Sequence, residues 1–185
     1  PGAALGGPQL KAVATLPKEI GGERVTYIAF DDESDATKAV QNARKLIVDN
    51  KVDVVLGSSL TPVSMPLIEI AAEQKVPLLT MAASSALVQP MDEKRRWVFK
   101  VVPNDDVMAR AMLQYIARTG AKTVGFISLS DSYGEGYYGV LAELAPSLGI
   151  RIVAKEGYAR TDQSVTGQTL KLIAAKGRDG FYTGA

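Results

Sequence analysis

The sequence predicts an α/β fold built on parallel sheets and arranged in two successive blocks. Three observations lead there. Short β-rich runs alternate with segments of helical period, helix-capping residues follow the strands, and the alternation restarts after Pro103.

In chain order, Arg24 to Phe30 (RVTYIAF) is expected as a strand and is followed by the acidic cluster Asp31-Asp32-Glu33. Ser34 or Asp35 is placed to cap a helix in which Val40, Ala43, Leu46 and Ile47 recur at helical spacing. Val52 to Leu56 (VDVVL) has the composition of a buried strand and ends at Gly57. Thr61-Pro62 opens a helix carrying Leu67, Ile70 and Ala71, and Val76 to Met81 and Trp97 to Val102 are the next strands expected. Beyond Pro103, Asn104 or Asp105 caps a helix with Val107, Met108, Met112, Tyr115 and Ile116, ended by Gly120. Then come a strand at 123–129, a helix at about 135–148, a strand at 150–154, a helix at 164–175 and the start of a strand at 180–183. The blocks meet near Val101 to Asn104, giving lobes of 1–102 and 103–185. A chain that opens in a loop and stops inside a strand is expected to be a fragment.

Composition narrows the function. The 185 residues are 46% hydrophobic and carry a net charge of +1, so no basic patch points to nucleic acid or an anionic membrane surface. No apolar run approaches the ~20 residues of a membrane span, and Pro1-Gly2-Ala3-Ala4 has the character of a mature chain rather than a signal peptide. Absence of Cys removes disulfides and thiolate metal sites; absence of His removes the commonest general base and metal ligand. No metal, cofactor or catalytic residue is expected. A carboxylate enzyme stays open on these grounds, but no Walker motif, G-x-S-x-G or G-x-G-x-x-G occurs.

Ligands of open parallel sheets bind outside the carboxyl ends of the strands, where three loops stand out. Gly57-Ser58-Ser59-Leu60-Thr61-Pro62 combines hydroxyls with a Pro suited to a first helical turn. With Thr61 as N-cap, the amides of Val63 and Ser64 would point outward, a carboxylate site without Lys or Arg. The competing account is that Thr61 only caps its own helix. Thr80-Met81-Ala82-Ala83-Ser84-Ser85-Ala86 offers small side chains and the Ser84 hydroxyl, or is a plain turn. Ser130 to Gly136 places Tyr133 between flexible neighbours, to cover a ligand or to pack on the surface. Asp31-Asp32-Glu33 is best explained as charge favoured at a helix N-terminus, and Asp92 to Arg96 as a solvated charged turn.

The collinear order DDESDATKAVQNARKLIVDNKVDVVLGSSLTP, VPLLTMAASSAL, RWVFKVVPND and DSYGEG resembles the branched-chain amino-acid-type binding proteins of ABC transporters, the leucine/isoleucine/valine-binding-protein-like family. The resemblance implies a two-lobed type I periplasmic-binding-protein fold, each lobe a parallel sheet flanked by helices. It implies a periplasmic, monomeric, non-enzymatic receptor that closes over an amino acid or small carboxylate, aromatic ones included, and engages a membrane permease. By position it assigns ligand contacts to Ser59, Leu60 and Thr61, to Ala82, Ala83 and Ser84, and to Tyr133. PGAALGG resembles the family's loop after its first strand, which places Leu5 near the ligand where an aromatic residue is frequent. The rival functions are a ligand-sensing domain of a signalling system and a nucleotide-dependent enzyme, the latter lacking its phosphate-cradling loop.

Overall fold

Val55, Leu78 and Val98 stand side by side on three neighbouring parallel strands, and all three side chains are buried. They form the sheet side of the first of two compact units in a computed structural model, which describes residues 2–175 and 181–184. The first unit comprises Pro1–Ala82 and Leu87–Val101; the second comprises Ala83–Ala86 and Val102–Ala185.

The first unit runs α1 (Ala3–Val13), β1 (Glu19–Ile20), β2 (Glu23–Arg24), α2 (Ala36–Arg44), β3 (Val55–Leu56), α3 (Thr61–Ser64), α4 (Leu67–Gln74), β4 (Leu78–Thr80) and β5 (Val98–Lys100). Strands β3, β4 and β5 pair parallel in that order. Asp35 caps α2 by accepting the Lys38 amide at 2.7 Å, as its position before the apolar spacing predicts. Ala39 and Ala43 of α2 and Leu67, Ile68, Ile70 and Ala71 of α4 cover the Val55–Leu78–Val98 face. The other face carries the row Leu56, Leu79 and Phe99, of which Leu56 is 47% and Phe99 52% exposed.

Three expectations fail in this unit. Residues 25–30 are not a strand: β2 ends at Arg24, and beyond the Val25 amide, which donates to the Lys18 carbonyl at 2.9 Å, no strand among the described residues pairs with the stretch. β propensity makes a strand only where a partner takes its hydrogen bonds. The opening is a helix and not a loop, despite Gly6, Gly7 and Pro8, and it is tied down by the Gly2 amide donating to Ser34 Oγ at 2.9 Å. The helix expected from Thr61 through Ala71 is broken into α3 and α4 at Met65-Pro66, where the Pro ring cannot continue the hydrogen-bond ladder.

The second unit runs α5 (Asp105–Arg118), β6 (Thr123–Leu129), α6 (Ser132–Leu144), β7 (Arg151–Tyr158), α7 (Thr166–Ala174) and β8 (Phe181–Gly184). Its sheet order is β7-β6-β8, all parallel, so β6 is central and buried nearly throughout. Ala109 and Leu113 of α5 and Tyr137 and Leu141 of α6 pack with Val124 and Phe126 of β6. Leu172 of α7 sits against Gly125, where a Cβ would come within 3.2 Å of it. Two boundaries move: α6 starts at Ser132 rather than near Glu135, and β7 extends to Tyr158. Gly180, expected to begin the last strand, lies outside the described residues.

Candidate functional site

The loop after β3 is built from hydroxyls. Gly57 turns out of the strand at φ +120°, a conformation that favours glycine. The Ser58 carbonyl then accepts from Ser64 Oγ at 3.1 Å and from the Met81 amide at 3.2 Å. Thr80 Oγ1, 3.2 Å from Ser64 Oγ, accepts the Ala82 amide at 3.2 Å. Ser64 and Thr80 are fully buried, so this network locks the loops after β3 and β4 to each other. Neither hydroxyl was singled out from the sequence. The available signal was their position: Thr80 ends a strand, and Ser64 lies within the first turn after the Thr61-Pro62 step.

The structure moves Thr61 by one position. Leu60 is the N-cap, and Thr61 is the first residue of α3. The amides of Val63 and Ser64 do not point outward; both donate to the Leu60 carbonyl, at 3.1 and 2.9 Å. Starting one residue earlier closes the first turn on itself and leaves no amide pair for an anion. What Thr61 offers is its side chain, only 4% exposed, with no hydrogen bond among the described residues. Leu60 packs on the first core, and a Cβ on Gly2 would lie 3.3 Å from its Cδ1. Ser59 Oγ donates to Gln9 Oε1 of α1, a contact not foreseen from sequence. Leu5 is on the same helix and is 51% exposed. Ala82 is buried in the first core.

In the second unit, Ser84 is buried and its Oγ accepts the Ala86 amide at 3.3 Å. A Cβ on Gly136 of α6 would lie 3.7 Å from Ser84 Oγ, so the helix backbone passes close to it. The Ser85 amide, beyond Ala83 and Ser84, donates to Asp105 Oδ1 at 3.0 Å. Tyr133 is not in a flexible loop. It is in the first turn of α6, where Asp131 Oδ1 accepts the Tyr133 and Gly134 amides at 3.0 Å each and Asp131 Oδ2 pairs with Arg160 at 2.9 Å. Its ring packs half-buried on the second core, 5.9 Å from Tyr137.

The acidic cluster is a capping turn. Asp31 Oδ1 accepts the Glu33 amide and Asp32 Oδ1 the Ser34 amide, each at 2.8 Å, and Glu33 pairs with Lys38. Among the described residues no group of three or more His, Cys, Asp or Glu could hold a metal ion, and no helix is long and apolar enough to cross a membrane.

Residues 1–184 match the family described as periplasmic binding protein. The chain belongs to the periplasmic binding protein family. Among solved members it is similar to an extracellular ligand-binding receptor from Rhodopseudomonas palustris HaA2, at 69% identity and TM-score 0.91, over 95% of this chain and 48% of that one. It is 25% identical over 166 residues to an amino acid binding protein of Pseudomonas aeruginosa, covering 89% of this chain and 44% of that protein. It has the fold of an ABC-transporter solute binding protein from Rhodopseudomonas palustris BisB5 in complex with 3,4-dihydroxy benzoic acid, at 21% identity and TM-score 0.85, over 100% of this chain and 51% of that one. The chain thus spans about half the length of the periplasmic binding proteins it matches.

Proposed function

We propose that this chain serves an extracytoplasmic solute-binding receptor of an ABC importer, with an amino acid or small carboxylate, aromatic ones included, as its ligand. The observation that carries this is the hydroxyl-pinned loop after β3, which presents Thr61 with an uncommitted hydroxyl at the carboxyl end of a parallel sheet. The ligand contacts in this proposal are Leu5, Ser59, Leu60, Thr61 and Ala82 of the first unit and Ala83, Ser84 and Tyr133 of the second. Family membership, the likeness to an amino acid binding protein and the dihydroxybenzoate complex of a fold relative support the ligand class.

Hydrogen bonding by neutral groups holds and releases a carboxylate without changing it, so the ligand leaves as it entered, for delivery to a membrane permease from the periplasm. A thermal-shift screen of the full-length protein against amino acids and aromatic carboxylates tests the proposal. Stabilisation by at least one carboxylate, recovered unchanged by mass spectrometry, is expected. Product in excess of protein would contradict it.

A further inference from the structure

We infer that Gln9 and Ser59 form a ligand-reading pair selective for a hydroxyl group. This rests on the solute-binding proposal and deepens it. Ser59 Oγ donates its only proton to Gln9 Oε1, so Ser59 no longer has a proton for a carboxylate and instead presents lone pairs. Gln9 is half-buried, and its Nε2 has no hydrogen-bond partner among the described residues. The pair therefore offers donors, the N–H groups of the Gln9 side-chain amide, beside an acceptor, Ser59 Oγ.

That combination discriminates. A carboxylate only accepts and an ammonium only donates, so each satisfies half of the pair and leaves the other half unpaired. A hydroxyl does both at once. The surroundings suit a hydroxyl carried on an apolar body. Leu5 and Gln9 are four residues apart on α1, so their side chains share a helix face. Gly2, on the same face, lies against Leu60. Leu60 itself is extended (φ −106°, ψ 131°), which sets Ser59 and Thr61 about 7 Å apart. A small ring bearing both groups would place its carboxylate at Thr61 and its hydroxyl at Gln9 and Ser59.

The test is calorimetry on the full-length protein with benzoate, 4-hydroxybenzoate, 3,4-dihydroxybenzoate and L-leucine. The wild type is expected to bind the hydroxylated acids about tenfold more tightly than benzoate, the size of one or two neutral hydrogen bonds. Gln9→Met and Ser59→Ala, checked for native melting, should each bring that ratio close to one. Equal affinity for hydroxylated and plain benzoate, a ratio that survives both substitutions, or binding of L-leucine alone would overturn the inference while leaving solute binding intact. Binding of none of the four, nor of any other amino acid or carboxylate, would remove the solute-binding proposal and this inference with it.

Discussion

The Asp105 carboxylate accepts the Ser85 amide at 3.0 Å through Oδ1, while Oδ2 is buried with no hydrogen-bond partner among the described residues. Asp105 is 1% exposed and begins α5, where a negative charge is favoured by the helix dipole. This bond ties the helix to the Ala83–Ala86 segment that carries Ser84. Asp105→Ala would orphan the Ser85 amide and is expected to destabilise the protein by about 1–3 kcal/mol. Asp105→Asn keeps the acceptor and should cost less. Urea denaturation of the two variants checks the order, and an Ala variant as stable as the Asn variant would contradict it.

Gly134 has no room for a side chain. A Cβ there would lie 2.0 Å from the Leu129 carbonyl and 2.5 Å from Ser128 Oγ. Backbone cannot yield as a flexible side chain can, so Gly134→Ala should cost roughly 3 kcal/mol or displace the start of α6. A melting temperature equal to wild type would show that the close approach of α6 to β6 is misassigned.

Asp92 gives a prediction in the acid range. The Arg95 amide, foremost, with the Arg95 guanidinium and the Lys94 amide, holds its carboxyl below the ordinary value of 3.8, partly offset by desolvation. A lowered value means that folding favours the charged form. The contribution is therefore complete above the unfolded value and is lost as pH falls through the folded one. NMR titration should place the Asp92 midpoint below that of an exposed aspartate, and Arg95→Ala should move it upward. A midpoint at or above 3.8 would contradict the hydrogen bonding at this turn.

The uncovered row Leu56–Leu79–Phe99 is an apolar surface on the 185-residue stretch. Exposed apolar patches bind hydrophobic dyes and promote association. Expressed alone, residues 1–185 should enhance the fluorescence of such a dye, and Leu56→Thr with Phe99→Thr should reduce the signal. No enhancement in the unsubstituted stretch would show that the face is covered.

Much of this architecture was legible from residue spacing, and the failures have local causes. Asp35 capped its helix as expected, and β6 ran over Thr123–Leu129 because a central parallel strand is apolar without interruption. Residues 25–30 looked equally strand-like, but a strand needs a partner, which no local pattern reveals. α1 was illegible because Gly6, Gly7 and Pro8 argue against a helix, while the bond from Gly2 to Ser34 is long-range. At the candidate site, residue type and loop were readable, but hydrogen-bond assignment was not. Ser59 turned out to be committed to Gln9, and the amides of Val63 and Ser64 to Leu60. A one-residue shift in where α3 begins decides whether the amides of Val63 and Ser64 face outward or close on the Leu60 carbonyl.

The central claim is that a carboxylate is held by hydroxyls of this chain, and titration calorimetry on the full-length protein tests it most directly. The tightest carboxylate from the thermal screen would be titrated into wild type, Thr61→Val and Ser84→Ala. A hydrogen bond to a charged group is worth about 1.5–3 kcal/mol, so each variant should bind roughly ten- to a hundred-fold more weakly while melting as a folded protein. Affinity unchanged in both variants would contradict the claim.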